Sequence, residues 1–189
     1  MADSNTETEI KLRIDNLKEV EERLAALGFK VTKPRIFESN TIFDDAVGGL
    51  RARGCLLRLR EVGNRAIVTF KGQSERGKHK TREELETGIA SPRTGVLIFE
   101  RLGLRPMFRY EKYRTEYERP TEHGIVTVDE TPIGWFVELE GEPDWIDRTA
   151  VELGFSEKNY LTESYGSLYV ADCKQKQIPP SNMVFGHSL

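Results

Sequence analysis

Paired cysteines, clustered histidines, long apolar runs and an excess of basic charge are all missing from this 189-residue chain. Cys55 and Cys173 are too few for a disulfide framework, and with three histidines at unrelated spacings they make no zinc site. No apolar stretch is long enough to span a bilayer, and Met1–Thr6 is polar, with no apolar segment behind a basic start. A cytoplasmic protein without a membrane partner is the expectation. Net charge is −3, from 28 Lys plus Arg against 31 Asp plus Glu, where a general nucleic-acid binder would be markedly basic. Nucleic acid is therefore not an expected partner, and any bound anion must be met by a local cluster of cations. No repeat of short fixed period is present.

What the chain does have is alternation. In Glu7-Thr8-Glu9-Ile10-Lys11 the ionisable side chains fall on one side and Thr8, Ile10, Leu12 and Ile14 on the other, the period of a β-strand. The pattern recurs down the chain. Arg58 and Arg60 oppose Leu57 and Leu59; Thr69 and Lys71 oppose Val68 and Phe70; Arg82, Glu84 and Glu86 share a face. Lys112, Arg114, Glu116 and Glu118 oppose Tyr113, Thr115 and Tyr117; Thr127 and Asp129 oppose Val126 and Val128; Glu138 and Glu140 oppose Val137 and Leu139. Charged residues are 31% of the chain, above the roughly 25% of an average globular domain, so their placement carries information.

Strands are predicted over Phe37–Asp44, Cys55–Glu61, Arg65–Lys71, Lys80–Thr87, Met107–Glu118, Gly124–Glu130 and Trp135–Gly141, after the opening one. Helices are predicted after Asp15 or Asn16 as far as Gly28, from Ser91-Pro92 to about Leu102, over Pro143–Leu153, and over Leu161–Asp172. Asp45–Gly54 and Gly72–His79 read as loops. One domain over residues 1–173 is expected, with a tail over 174–189, bearing Pro179-Pro180, loosely ordered or clipped to the surface.

Buried parallel strands would be apolar on both faces, which these are not. Antiparallel strands of an α+β fold satisfy the pattern in two ways. An open sheet could turn its charges to water, or about eight strands could close into a barrel with charges inside and helices over an apolar outside. The second arrangement is expensive, because a buried ion costs several kcal/mol unless paired. Its use would be to grip a polyanion, with Lys and Arg on phosphoryl oxygens and carboxylates holding a divalent cation. The E-x-E pairs Glu7/Glu9 and Glu138/Glu140 each set two carboxylates about 7 Å apart on one strand face, suited to octahedral Mg²⁺ or Mn²⁺.

Taken in order, Glu7-x-Glu9-x-Lys11, Leu57-Arg58-Leu59-Arg60, Thr69-Phe70-Lys71-Gly72, Arg82-x-Glu84-x-Glu86, Lys112-x-Arg114, Val128-Asp129 and Glu138-Leu139-Glu140 resemble the CYTH domain, the triphosphate tunnel metalloenzyme superfamily. Leu161-Thr162-Glu163-Ser164-Tyr165 resembles its late Ser-Tyr element. The resemblance implies a closed, eight-stranded antiparallel barrel with a charged lumen, covered by helices. It implies a triphosphate-containing small molecule bound by Lys11, Arg58, Arg60, Lys71, Arg82, Lys112 and Arg114, and divalent metal (Mg²⁺ or Mn²⁺) held by Glu7, Glu9, Glu138 and Glu140 with Glu84, Glu86 and Asp129. Catalytic roles would fall to Glu7, Glu9, Lys11 and Lys71. A basic residue precedes the Ser-Tyr in several members; Glu163 stands there here, and Lys158 is the candidate replacement. Hydrolysis of a triphosphate is the leading expectation, with cyclisation of ATP or non-catalytic polyphosphate binding as alternatives, and a homodimer is a further implication.

Overall fold

The computed structural model describes residues 6–75 and 77–186. The first and last residues of the expected domain and tail, and Arg76 in the expected Gly72–His79 loop, lie outside that set. Among the described residues eight strands form one closed antiparallel barrel: β1 (Thr6–Ile14), β2 (Lys30–Asp44), β3 (Leu56–Val62), β4 (Arg65–Lys71), β5 (Lys80–Ile89), β6 (Arg105–Glu118), β7 (Gly124–Thr131) and β8 (Gly134–Gly141). Their order around the barrel is β1-β5-β4-β3-β2-β6-β7-β8, with β8 returning to β1. Helices α1 (Leu17–Ala26), α2 (Gly49–Ala52), α3 (Pro92–Arg101), α4 (Pro143–Glu152) and α5 (Tyr165–Lys176) lie outside the ring, and none is long and apolar enough to cross a membrane.

The apolar half of each alternation builds the outside. Ile10, Leu12, Val126, Val128, Val137 and Leu139 on β1, β7 and β8 pack against Val20 and Leu24 of α1 and Trp145, Ile146 and Ala150 of α4. These helices start where the sequence says they should. Asn16 accepts a hydrogen bond from the Glu19 N–H at 3.3 Å, and Pro143 opens α4. Gly124 is required beneath Trp145: a Cβ there would stand 2.4 Å from the indole ring. A second cluster sets Phe43, Leu59 and Ala66 under Val96 and Phe99 of α3, and a third gathers Tyr110, Ile133, Phe136, Tyr165 and Met183 beside α5.

The differences from the sequence reading have local causes. β2 begins at Lys30, not Phe37: its first half is exposed, carries Pro34 and holds two register shifts, so it lacks the alternation that marks a strand. The expected loop after Asp44 contains α2, whose Leu50 and Arg51 N–H groups are held by the Asp44 carboxylate at 2.8 and 3.0 Å. The last helix starts at Tyr165 instead of Leu161, because Leu161 pairs with Lys11 in a β-bridge and Ser164 caps the helix. The boundary expected at 174 falls within α5. Beyond that helix the chain is clipped to β6: the Glu111 N–H donates to the Met183 carbonyl, the Met183 N–H donates to that of Arg109, and Met183 is fully buried.

The barrel wall is the main source of apolar burial, so a cavity in it should be costly. Leu12→Ala is expected to lower unfolding free energy by about 2–5 kcal/mol, read from urea titrations.

Candidate active site

With Ile10 and Leu12 directed into the helix-backed core, the intervening Glu7, Glu9 and Lys11 must point inward, and pairing register fixes their neighbours. On one side Glu9 faces Glu140 and Lys11 faces Glu138 of β8; on the other Glu7 faces Arg82 and Glu9 faces Lys80 of β5. Lys71 of β4 stands opposite Glu84, and Thr69 opposite Glu86. Across the ring, Glu38 of β2 faces Lys112 of β6, Asn40 faces Arg60 of β3, and Arg114 faces Asp129 of β7. All of these but Thr69, Glu38, Asn40 and Asp129 line a cavity of about 1170 Å³.

The ions neutralise one another in a connected web. Lys71 Nζ lies 2.6 Å from Glu7 and 2.9 Å from Glu84; Lys80 Nζ lies 2.8 Å from Glu9; Lys11 Nζ sits 3.2 Å from Glu9 and 3.1 Å from Glu138. Arg60 bonds Glu86 at 2.7 Å, and Arg58 bonds Thr69 at 3.1 Å and Tyr110 at 3.4 Å. Arg114 grips Asp129 through Nε and Nη2, at 2.7 and 2.6 Å, and also bonds Glu138. Lys112 Nζ lies 2.9 Å from Asp129. Arg82 is more loosely held, 3.5 Å from Glu7 and 3.7 Å from Glu9. Burial raises Glu9 and Glu138, but Lys11 with Lys80 on the former and Lys11 with Arg114 on the latter outweigh it and hold both below the usual carboxylate range. Glu38 is drawn down to about 2, burial being outweighed by Lys112, Arg114 and Arg60.

The web leaves two kinds of unsatisfied group. The Nε–H of Arg58, Arg60 and Arg82 is buried with no hydrogen-bond partner among the described residues, as are the Thr127 hydroxyl and both side-chain ends of Asn40. Buried donors without acceptors are costly, and three guanidiniums so left suit an oxyanion guest. The second kind is negative. Glu140 has no ion-pair partner among the described residues, and burial with the Glu7 and Glu9 carboxylates pushes it up to about 7. Glu7 is raised by burial and by Glu9 in spite of Lys71.

Glu7, Glu9, Glu84 and Glu140 offer the hard oxygen donors that a divalent cation takes, and at Glu7 and Glu140 the neighbouring carboxylates make such a cation welcome. Among the described residues no three acidic, histidine or cysteine side chains are gathered as a ligand set, and Glu7 and Glu9 hold ammonium groups.

Of the residues expected in the site, Glu7, Glu9, Lys11, Arg58, Arg60, Lys71, Arg82, Glu84, Glu86, Lys112, Arg114, Glu138 and Glu140 all line the cavity. Asp129 does not. It is fully buried beneath Lys112, Arg114 and Tyr165, with both oxygens hydrogen-bonded by the two cations and the Tyr165 hydroxyl. Lys158 does not either: it is exposed on a 3-10 turn, Glu157–Asn159, and brings no charge to the lumen. Sequence reasoning passed over Lys80, Glu38, Asn40, Tyr110 and Tyr165. Lys80 continues the period-two face of Arg82, Glu84 and Glu86, so that signal was present; Glu38 and Asn40 share a face of the predicted Phe37–Asp44 strand. Tyr165 belongs to the Ser-Tyr element noted in the sequence, but it comes from a helix and no strand periodicity gives it a place in the lumen.

The family model described as the CYTH domain matches residues 5–165. A Methanocaldococcus jannaschii protein named "Putative adenylate cyclase MJ0240" is 31% identical over 169 residues, spanning 84% of this chain and 95% of its own. Among solved structures, a Vibrio parahaemolyticus protein described as "a putative adenylate cyclase" superposes with a TM-score of 0.77 at 19% identity, over 86% of this chain and 96% of its own. A Hippeastrum protein, described as a "putative adenylyl cyclase" that "reveals a dominant" triphosphatase activity, gives a TM-score of 0.66 at 20% identity, over 88% and 96%. At these identities the two structures establish the fold.

The raised Glu140 makes metal-free stability depend on pH. Its folded pKa lies above its unfolded value, so the native state binds more protons between about pH 4.5 and about 7, and stability falls as pH rises through that window. Glu140→Gln should remove this fall and stabilise the protein at pH 8 by on the order of 1–3 kcal/mol, measured by denaturant unfolding in EDTA at pH 5 and pH 8.

Proposed function

The chain belongs to the CYTH domain family, and from that premise we propose that it is a divalent-metal-dependent enzyme that hydrolyses a triphosphate held in the barrel lumen. The observation that carries this reading is one cavity lined both by the guanidiniums of Arg58, Arg60 and Arg82 and by carboxylates crowded enough to raise Glu140. The first are donors waiting for phosphoryl oxygens and the second a place for Mg²⁺ or Mn²⁺.

In this reading Lys11, Arg58, Arg60, Lys71, Arg82, Lys112 and Arg114 bind the phosphate chain, with Lys80 added from the same face of β5. Glu7, Glu9 and Glu140 hold metal, supported by Glu84 and Glu138. A bound divalent cation supplies neutralisation of the phosphate chain and Lewis-acid polarisation of the P–O bonds. The protein supplies the rest. Lysines and arginines on strands pinned by their neighbours keep the chain extended, and their donors stabilise charge that builds on non-bridging and leaving oxygens. Asp129 and Glu38 fix Lys112 and Arg114 before substrate arrives, so little reorganisation accompanies the reaction.

Cyclisation of ATP is the second reading. It is favoured by the M. jannaschii relative's name and by the aromatic and aliphatic lining of Ile42, Met107, Phe108 and Tyr169, which has no task on an inorganic triphosphate. Hydrolysis is placed first because it needs no dedicated nucleoside pocket and because the Hippeastrum protein, of the same fold, is described with that activity.

The two readings separate in a single assay of inorganic triphosphate, thiamine triphosphate and ATP with Mg²⁺ and with Mn²⁺, following phosphate and cyclic AMP together. Metal-dependent phosphate release is expected, and cyclic AMP with pyrophosphate as the main products would favour the second reading. Glu9→Ala should lower kcat by about 100-fold or more, while Arg60→Ala should chiefly raise KM by about tenfold or more. Turnover unchanged in Glu9→Ala would overturn the metal assignment.

A further inference from the structure

Tyr165 opens α5 and is buried, at 6% exposure, where that helix meets the lumen wall. Its hydroxyl donates to Asp129 Oδ2 at 2.7 Å, the oxygen that also receives Lys112 and Arg114. Its ring is within reach of two ammonium groups from different strands. Lys11 Nζ of β1 is 5.5 Å from the ring centroid, and Lys112 Nζ of β6 is 5.4 Å. Phe136 meets the ring edge-on at 5.4 Å, and Tyr110 lies 6.1 Å away. One side chain from outside the barrel thus touches both lysines and the carboxylate that orients the second.

We propose that Tyr165 is a positioning residue, setting the placement of Lys11 and Lys112 for the phosphate chain and tying that placement to the seating of α5. The inference rests on the triphosphate reading of the lumen and adds a determinant from the helical cover. Its physical basis is the ring's negative face, which attracts both ammonium groups and eases the repulsion between them. Lys11 and Lys112 belong to strands separated by β8 and β7, so no backbone pairing sets their spacing directly. The hydroxyl's bond to Asp129 adds to the packing of Phe136 and Tyr110 in fixing the ring. Ser164 caps the helix by accepting the Ser167 N–H at 3.2 Å, which fixes the turn that carries Tyr165.

A packing role alone predicts something different, and the two can be separated. Met183 is fully buried in the same cluster as Tyr165 but belongs to the strap along β6 and takes no part in the ion web. The probe is imidotriphosphate, a triphosphate whose bridging nitrogens resist hydrolysis, titrated calorimetrically with Mn²⁺ present, with melting temperature recorded for each variant. Tyr165→Leu should weaken binding by roughly tenfold or more, the loss of two buried cation–ring contacts. Tyr165→Phe keeps the ring and loses that bond, and should fall between wild type and Tyr165→Leu. Met183→Ala should lower the melting temperature while leaving affinity within about twofold of wild type. Wild-type affinity in Tyr165→Leu, or an equal loss in Met183→Ala, would overturn the inference while leaving the triphosphate reading intact. Failure of the wild type to bind the probe would instead remove that reading.

Discussion

A closed wall of strands that turns its charges inward is the constraint from which everything else follows. A packed apolar lumen would be the more stable choice, since each dehydrated ion carries a penalty that pairing only partly returns. The structure meets the penalty in two ways. Every lysine of the lumen sits on at least one carboxylate, and the arginines on carboxylate, hydroxyl or phenol groups. Around this ring of ions Ile10, Leu12, Val126, Val128, Val137 and Leu139 on the outward faces of β1, β7 and β8 are buried against α1 and α4, and the aliphatic wall offsets the electrostatic cost. The helices are therefore not an ornament on a barrel: without them the apolar outside would face water.

Pairing is generous yet incomplete, and its incompleteness is informative. The guanidinium N–H groups of Arg58, Arg60 and Arg82 and the carboxylate of Glu140 are the places where the web does not close. A protein selected for stability alone would fill such gaps with apolar side chains. The lysines and arginines of the lumen equal its carboxylates in number (Glu38 and Asp129 included), so the cavity is formally neutral before anything enters. A bare triphosphate would upset that balance, and one arriving with divalent cations would nearly keep it.

Most of this was legible in the chain because a strand writes its two faces at period two. β1, β3, β4, β5, β7 and β8 alternate cleanly, and the residues that the alternation sets on the polar face line the cavity, except Thr69 and Asp129. That the strands close, instead of lying open with charge in water, was not in the alternation; it came from the order of motifs, and the pairing of β1 with β8 bears it out. Lys80 was legible too, on the face of Arg82, Glu84 and Glu86 in the predicted Lys80–Thr87 strand, but was not singled out. Two things were hidden. The first half of β2 is exposed on both faces and interrupted at Pro34, so it reads as loop. Tyr165 reaches the lumen from a helix, and no periodicity within one segment can report a contact between distant segments. Lys158 shows the complementary case: close in sequence to the Ser-Tyr element, it stands exposed on its turn.

Closure through β1 and β8 also has a consequence for how the molecule comes into being. During synthesis β1 emerges first and β8 last of the eight, so one flank of β1 must wait for its partner until almost the whole barrel wall exists. Such non-local pairing makes ring closure the slow event in folding. Glu9 meets Glu140, and Lys11 meets Glu138, only in that closing step, so these ions stay hydrated until the end and give up their water together. Until then the nascent sheet has two bare margins, one along β1 and one along β7, each a template for pairing with another chain.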